Sequence, residues 1–383
     1  MATSPAATWI EHHAHKMNSD PRPSPLAPRA SPLSPAEVPA ALGYRMPAEW
    51  EPHAATWLAW PHKRESWPGK FEPIPPLFAR LVRTLAQFEP VHILAGGADP
   101  ESGTPLIDQV KQLLGNVPNV TLHNIPTNDA WTRDHGPTFL VGPPGSPPAL
   151  VDWGYNAWGG KYPPFDLDDA VPQRIAQYTG RKLFHPGIIL EGGAIDSNGL
   201  GTILTTEQCL LNPNRNPQLC CHDMEKYLAD YLGAKKTLWL GEGIEGDDTD
   251  GHIDELARFV GPRTVVAALE DDTNDVNYSP LRENFERLQR MTDQNNQPLN
   301  VIALPMPRPI HYEDQRLPAS YCNFYLANGV AIVPQFDDPA DAKVLQILSQ
   351  LLPGRQIIGL PARDLVWGLG AFHCITQQEP ALN

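Results

Sequence analysis

Features of several common protein classes are missing from this sequence of 383 residues. Acidic residues outnumber basic ones and give a net charge of −15, whereas proteins that bind nucleic acid or anionic membranes carry a basic surplus. No run of 18 apolar residues occurs, which argues against a transmembrane helix. We therefore expect no nucleic-acid partner and no membrane partner. The acidic balance is compatible with attraction of a cationic substrate.

Cysteine is scarce as well, and its spacing excludes the usual cysteine-based frameworks. The five cysteines, at positions 209, 220, 221, 322 and 374, include no Cys-x-x-Cys pair, and an odd number does not suit a disulfide framework. We expect reduced cysteines and a cytoplasmic location. Cys220, Cys221 and His222 could suggest a metal site, but they lack a distant second pair of ligands. No glycine-rich phosphate loop is present. We predict no metal and no cofactor.

Proline, in contrast, is abundant, with 43 residues, and it marks the N-terminal part of the chain. Residues 1–42 are rich in Pro, Ser and Ala with little hydrophobic periodicity, so we predict a disordered extension there. From residue 43 onward, short β-rich runs alternate with helical patterns. We predict one catalytic α/β domain over residues 43–383.

This domain repeats one order of elements: strand, tight turn, strand, helix, strand. In the last copy, Tyr321–Ala327 and Val330–Gln335 flank Asn328-Gly329, a strong hairpin signal, and a helix follows at about 339–352. The first copy lacks one strand, which the run around Cys374 would supply. Five ββαβ units closed in this way predict a five-bladed pseudo-symmetric α/β propeller, since closure removes exposed strand edges. An ordinary α+β domain with hairpins is the alternative.

Unusual polar residues recur near the start of each hairpin, and a ring would bring them together at its axis. They are Asp134, Glu191, His252, Asp254, Asn323 and Cys374. We predict strands over 193–196 and 253–260, and the side chains of His252 and Asp254, two residues apart, would then share one face. A metal pair or a surface loop are the alternatives for these two residues, although few other histidines offer a third ligand.

Cys374 is the candidate nucleophile. It lies in an apolar, strand-like run after two glycines, where a buried structural cysteine is the alternative. His252 would serve as its acid and base, and Glu191 could orient His252 through the second ring nitrogen. The sequence thus indicates covalent catalysis by a thiolate.

The stretch 128–137 is dense in polar and aromatic residues that suit a planar cation. Asp134, together with Asp254 and the ring of Trp131, would hold a guanidinium group, because carboxylates pair with it bidentately and aromatic rings stack on it. The alternative is a loop in which Arg133 pairs with a nearby Asp. With Cys374, this pocket indicates attack on a guanidinium carbon, release of ammonia and hydrolysis of the covalent intermediate.

Several stretches of the chain resemble the agmatine deiminase branch of the Porphyromonas-type peptidylarginine deiminase family. They are Met46-Pro-Ala-Glu-Trp-Glu-Pro-His, Asn128-Asp-Ala-Trp-Thr-Arg-Asp, Leu190-Glu-Gly-Gly, Gly246-Asp-Asp-Thr-Asp-Gly-His-Ile-Asp and His373-Cys-Ile-Thr-Gln-Gln. The resemblance covers most of residues 43–380. It implies the five-bladed α/β propeller (pentein) of guanidino-modifying enzymes. It also implies metal-free hydrolysis of agmatine to N-carbamoylputrescine and ammonia, a step toward putrescine.

The matching motifs imply a role for each candidate residue. Cys374 resembles the nucleophile that carries the amidino group, and His252 resembles the acid and base, with Glu191 as its partner. Asp134 and Asp254 resemble the guanidinium clamps. The resemblance also implies that Trp131 is a pocket wall and that Asn323 is a neighbour in the substrate site. The implied partner is a small cationic guanidino substrate, agmatine, and a homo-oligomer is a further expectation.

The chain departs from the family pattern directly before the nucleophile. Agmatine deiminases usually carry a glycine-rich run ending in Asn-Ile before His-Cys, and here the run is Leu369-Gly-Ala-Phe372. This strand entrance could shape the pocket for the substrate tail. Peptidyl arginine and free arginine therefore stay open as alternative substrates. A guanidino-binding protein without turnover and an amidinotransferase are the remaining alternatives.

Overall fold

The computed structural model describes residues 37–382. Most of the extension predicted as disordered, residues 1–42, lies outside this range. Inside it, Ala40–Leu42 form a 3-10 helix and the Val38 side chain is buried, so ordered structure starts before residue 43. Among the residues described, no helix combines the length and the apolar character needed to cross a membrane.

Five separate mixed sheets carry the fold, and each has an antiparallel pair followed by a parallel pair. The fourth and fifth sheets follow the same rule. The first sheet contains Gln377–Pro380, His53–Ala59, Val91–Gly96 and Val120–Pro126. The second contains Thr138–Leu140, Ala149–Val151 and Leu183–Phe184, and the third Asp196–Ser197, Thr202–Thr206 and Lys236–Leu240. The fourth contains Ala257–Phe259, Thr264–Leu269 and Asn300–Pro305, and the fifth Tyr325–Ala327, Val330–Gln335 and Gln356–Pro361.

A helix connects the parallel strands of each sheet, because parallel strands need a crossover. In sheet order these helices are Ile74–Leu85, Val171–Thr179, Cys221–Leu232, Tyr278–Arg290 and Ala340–Leu351. The additional helices are Leu106–Leu114, Thr132–His135, Ala157–Gly160, Asp166–Asp169 and Glu207–Leu210. Short 3-10 helices are Arg64–Ser66, Gly192–Ala194, Ile253–Glu255 and Leu365–Gly368, and His311–Tyr312 pairs with Gln315–Arg316 in a small ribbon.

The crossover helices form where the sequence places apolar residues on one side. Ile74–Leu85 buries Ile74, Phe78, Leu81 and Leu85, a spacing of three and four residues, against the first sheet. Proline in its first turn fits a helix start, where no N–H partner is needed. The α/β prediction is confirmed, and the C-terminal strand does complete the first sheet by pairing with His53–Ala59.

The predicted strands at the site begin too early, and this is a correction. Residues 253–255 form a 3-10 helix, residues 192–194 another, and the strands start only after them. Cys374 likewise lies in a turn ahead of the strand Gln377–Pro380 rather than in a strand. His252 and Asp254 therefore do not share the face of a strand. Residues 251–260 are all buried, so they show no alternation of buried and exposed positions that could distinguish a strand from a turn.

Hydrogen bonds join neighbouring sheets or the segments next to them. The bonds run from Ala59 N to Thr132 Oγ1 (2.7 Å), Gly193 N to Asp134 Oδ1 (2.9 Å), Arg258 Nε to Asp196 Oδ1 (2.9 Å), Arg258 Nη1 to Phe324 O (2.9 Å) and His53 N to Asn328 Oδ1 (3.0 Å). In order, they join the first sheet to the segment before the second, the segments before the second and third sheets to each other, the third sheet to the fourth, the fourth sheet to the segment before the fifth, and the hairpin turn of the fifth sheet to the first.

Candidate active site

Cys374 lies on a turn whose close packing depends on glycine. A Cβ atom on Gly370 would come within 2.7 Å of Trp131 Cζ3 and 3.2 Å of Cys374 Sγ, so only glycine fits there. Trp131 stacks on Trp67 with ring centroids 5.4 Å apart, which fixes it as one wall beside the sulfur. The structure thus brings the predicted nucleophile and the predicted aromatic wall together.

Three polar side chains surround the Cys374 sulfur. Asn323 Nδ2 donates to Sγ at 3.0 Å, Asp254 Oδ2 lies 3.6 Å from it and Glu255 Oε1 lies 3.9 Å from it. The thiol is buried, and burial raises its pKa well above the ordinary value, with the Asp254 and Asp134 carboxylates adding to the effect. These contacts favour the thiol form, and a nearby positive charge would favour the thiolate.

Asp254 is held in its ionised form by a histidine that sequence reasoning did not select. His373 Nδ1 donates to Asp254 Oδ2 at 2.6 Å, and His373 Nε2 lies 2.8 Å from Glu49 Oε2. Burial opposes ionisation of Asp254, but His373, His252 and Arg258 outweigh it and lower its pKa. Asp254 Oδ1 is buried and has no hydrogen-bond partner among the residues described. That oxygen is free to accept from a cationic ligand.

Asp134 is held from two sides. Gly193 N donates to Oδ1 at 2.9 Å and Trp158 Nε1 donates to Oδ2 at 3.0 Å. Burial raises the pKa of Asp134 to about 6, with His252 opposing and Asp254 reinforcing the shift. Trp158 has a left-handed backbone, with φ of 55°, which is uncommon for a side chain of this size and often marks a functional site.

His252 faces Asp134 across a gap that glycine keeps open. His252 Nδ1 lies 3.7 Å from Asp134 Oδ1, and a Cβ atom on Gly193 would come within 2.5 Å of that nitrogen. Both ring nitrogens are buried and lack hydrogen-bond partners among the described residues. Burial opposes protonation, but Asp134, Cys209 and Asp254 outweigh it and raise the pKa of His252 well above its ordinary value. A protonated His252 is suited to act as a general acid.

The predicted pairing of Glu191 with His252 appears as proximity, not as a hydrogen bond. Glu191 Oε1 accepts from Arg215 Nε at 2.9 Å, and Oε2 is buried without a partner among the described residues. One carboxylate oxygen of Glu191, the Cys209 sulfur and one ring nitrogen of His252 all lie within 4.8 Å of one another. Arg215 therefore holds Glu191 close to the His252 imidazole.

In two sets of side chains, the potential ligand atoms lie close enough together to hold a metal ion. One is Glu191, Cys209 and His252, and the other is Asp254, Glu255 and Cys374, all of them buried. Each set includes two residues that the sequence predicted to be catalytic. The prediction that no metal takes part stays a prediction.

Several residues of the site were missed by sequence reasoning. They are Glu49, Trp158, Cys209, Arg215, Glu255 and His373, all of which are buried. Glu255 and His373 stand beside predicted residues, so their positions could have been noticed. Glu49 gave no such signal, because its contacts with Arg133 (3.3 Å), Arg258 (2.8 Å) and His373 join distant parts of the chain. Arg133 thus pairs with Glu49 and not with an aspartate of its own loop.

A buried cysteine set among carboxylates, a histidine and an aromatic wall, on an α/β fold of repeated mixed sheets, is an arrangement typical of an enzyme site. Comparison with known sequences identifies the class of enzyme. The model of the Porphyromonas-type peptidyl-arginine deiminase family matches residues 45–380. The chain belongs to this family, which is a family of hydrolases acting on C–N bonds.

Named relatives and solved structures agree with this assignment. The chain is 38% identical over 367 residues to the agmatine deiminase of Ectopseudomonas mendocina, covering 90% of this chain and 97% of the relative. It is 37% identical to that of Pseudomonas aeruginosa over the same shares. The Enterococcus faecalis agmatine deiminase structure has a TM-score of 0.85 at 33% identity, covering 92% of this chain and 100% of that one. A C. jejuni cysteine-to-serine variant with substrate bound has a TM-score of 0.80 at 32% identity, covering 88% and 96%.

Proposed function

We propose that this protein is an agmatine deiminase that converts agmatine and water to N-carbamoylputrescine and ammonia. The observation that carries the proposal is the Cys374 sulfur, 3.6 Å from an Asp254 carboxylate whose other oxygen is buried and unpartnered among residues 37–382. A guanidinium group is the cation that matches such a carboxylate in shape and charge. Relatives at 37–38% identity named agmatine deiminase support the same substrate.

The proposed reaction begins with guanidinium binding between Asp134 and Asp254, against Trp131. The positive charge favours release of the Cys374 proton to solvent, because it offsets the carboxylates that raise the thiol pKa. The thiolate attacks the guanidinium carbon, and His252 delivers a proton to the departing ammonia. A carbon–sulfur bond has then replaced a carbon–nitrogen bond.

Water completes the reaction in a second step. The neutral His252 left by the first step takes a proton from the water that attacks the amidino carbon. The carbon–sulfur bond then breaks and the added hydroxyl gives its proton to the sulfur, so the product leaves as a urea and the Cys374 thiol is regenerated. Glu191, anchored by Arg215, is proposed to stabilise the charged imidazole from behind. Trp131 and Asn323 are proposed to line the substrate site.

The proposed architecture is the five-bladed α/β propeller. Five sheets of one topology, with hydrogen bonds from each sheet or the segment next to it to the following one and from the fifth to the first, support a closed ring. The turns that carry Asp134, Glu191, His252, Asn323 and Cys374 would then face the axis. A cytoplasmic location, a role in putrescine formation, homo-oligomerisation and the absence of nucleic-acid and membrane partners stay predictions.

The test is ammonia release by the purified protein from agmatine, free arginine and a blocked arginyl peptide in parallel. We expect release from agmatine alone, with one N-carbamoylputrescine formed per ammonia. Release from the peptide or from arginine would keep the chemistry and replace the substrate. Cys374→Ala is the inactive control, and Cys220→Ala, which removes an exposed cysteine, should behave as the unaltered protein.

A further inference from the structure

Glu255 contacts the reacting sulfur, yet the proposed reaction gives it no role. Its Oε1 accepts a hydrogen bond from Asn323 Nδ2 at 2.8 Å and lies 3.9 Å from Cys374 Sγ. Its Oε2 is buried without a hydrogen-bond partner among residues 37–382, and the residue is 3% exposed. Glu255 is thus a buried titratable group aimed at the nucleophile.

Burial and two neighbouring carboxylates disfavour the carboxylate form of Glu255. Asp254 and Asp247 raise its pKa, whereas His252 and a hydrogen bond from the Cys374 thiol lower it, and the Cys322 thiol is also within electrostatic range. Burial, followed by Asp254 and Asp247, raises the pKa of Glu255 well above its ordinary value despite His252. Among residues 37–382 no Arg or Lys forms an ion pair with Glu255, so burial beside Asp254 favours its protonated form.

Asn323 cannot supply a second hydrogen bond to the sulfur, because its amide is fully used. Asn323 Oδ1 accepts from the backbone N–H groups of Ala371 (3.2 Å) and His373 (3.0 Å), which fixes the orientation of the amide. Its Nδ2 carries two hydrogens, and one donates to Cys374 Sγ and the other to Glu255 Oε1. A thiolate, which accepts more than one hydrogen bond, therefore has only one donor from Asn323.

We propose that Glu255 works as a neutral carboxylic acid that donates a further hydrogen bond to Cys374 Sγ, beyond those from Asn323 and the Ala371 backbone, when the sulfur becomes a thiolate. The proton stays on Glu255 throughout, so no bond to it is made or broken. The inference rests on the proposed function, in which the guanidinium cation brings about thiolate formation. A neutral acid suits this place because a third carboxylate would oppose the thiolate, whereas an O–H donor stabilises it.

Two substitutions separate a neutral donor from a carboxylate. Glu255→Gln keeps the shape and an N–H donor, so kcat/KM for agmatine should fall by no more than about fivefold. Glu255→Leu removes the donor, and loss of a hydrogen bond to a charged group should lower kcat by roughly 10-fold or more. Asp254→Asn is the matched comparison, because it removes a carboxylate assigned to the substrate, and its kcat/KM should fall by about 100-fold or more.

A second readout does not depend on turnover. The rate of Cys374 alkylation by iodoacetamide, followed on the isolated peptide by mass spectrometry, reports thiolate formation as a function of pH. Glu255→Leu should move this profile toward alkaline pH by roughly one unit, and Glu255→Gln by much less. If Glu255→Leu does not fold, as judged by circular dichroism, the Glu255→Gln result decides.

The proposal is overturned if Glu255→Gln loses as much kcat/KM as Asp254→Asn, since Glu255 would then act as a carboxylate. It is also overturned if Glu255→Leu matches the unaltered protein, or loses kcat without an alkaline shift in alkylation. Failure of the proposed function looks different: the unaltered protein would release no ammonia from agmatine, while the alkylation profiles would still report on Glu255.

Discussion

Replacing Trp158 with phenylalanine should move the acid side of the pH profile and leave the alkaline side in place. Trp158 Nε1 donates to Asp134 Oδ2 at 3.0 Å, and the pKa of Asp134 is raised to about 6 by burial. In the proposed reaction Asp134 binds the guanidinium as a carboxylate, so kcat/KM should fall about tenfold per pH unit below that value. A hydrogen bond to a charged group is worth roughly 1.5–3 kcal/mol, and about 1.4 kcal/mol corresponds to one pKa unit.

Trp158→Phe should therefore raise the pKa of Asp134 by roughly one unit or more and shift the acid midpoint from about 6 to about 7. The sign follows from the charge: the lost N–H stabilised the carboxylate, so its removal favours the protonated form. The assay is kcat/KM for ammonia release from agmatine between pH 5 and 9. Trp239→Phe is the control, because Trp239 Nε1 donates to Glu225 at 3.0 Å outside the site. An unchanged midpoint, with activity lowered equally at every pH, would refute the reasoning.

Three further predictions concern the anchor, the glycine turn and the nucleophile. Arg215→Met should cost roughly 3–5 kcal/mol of unfolding free energy in urea, because Glu191 is left buried without its cation; a loss below 1 kcal/mol would contradict this. Gly370→Ala should lower kcat by about 100-fold or more, since its Cβ would displace the sulfur, while Gly261→Ala, whose Cβ meets no atom closer than 3.7 Å, should have no effect. Cys374→Ala should abolish turnover and keep agmatine binding by calorimetry; normal turnover would exclude the covalent mechanism.

The sequence allowed the repeated unit to be predicted, because hairpin signals and helical spacing are local. Asn328-Gly329 marks a turn whose second strand, Val330–Gln335, has the predicted bounds. The helix Leu106–Leu114 and the strand Val120–Pro126, which enlarge the first sheet, break the repeat and were not predicted. The 3-10 turns at the site were missed because continuous burial removes the alternation that distinguishes strand from turn.

The residues of the candidate site could likewise be predicted only in part from the sequence. Cys374, His252, Asp134 and Asp254 could be selected by residue type and motif, and the structure brings them together. The partners that set their protonation could not be selected. Glu49, for example, contacts groups more than 80 positions away along the chain, so no spacing rule connects them. Residue type identifies which groups can react, whereas protonation depends on contacts that only the fold creates.

Those contacts give three neighbouring carboxyl groups three different states. Asp254 is ionised because His373 donates to it, Glu255 is proposed to hold a proton because burial, Asp254 and Asp247 outweigh His252 in setting its pKa, and Asp134 has a pKa of about 6 between these limits. Burial alone would have kept all three protonated. In the proposed reaction, a guanidinium bound between Asp134 and Asp254 would add one positive charge there and lower the pKa values of Asp134 and the Cys374 thiol together. Binding the cation would thus complete the ionised clamp and produce the nucleophile in one event. The structure therefore predicts that neutral analogues of the substrate, which bring no charge, will leave Cys374 as an unreactive thiol.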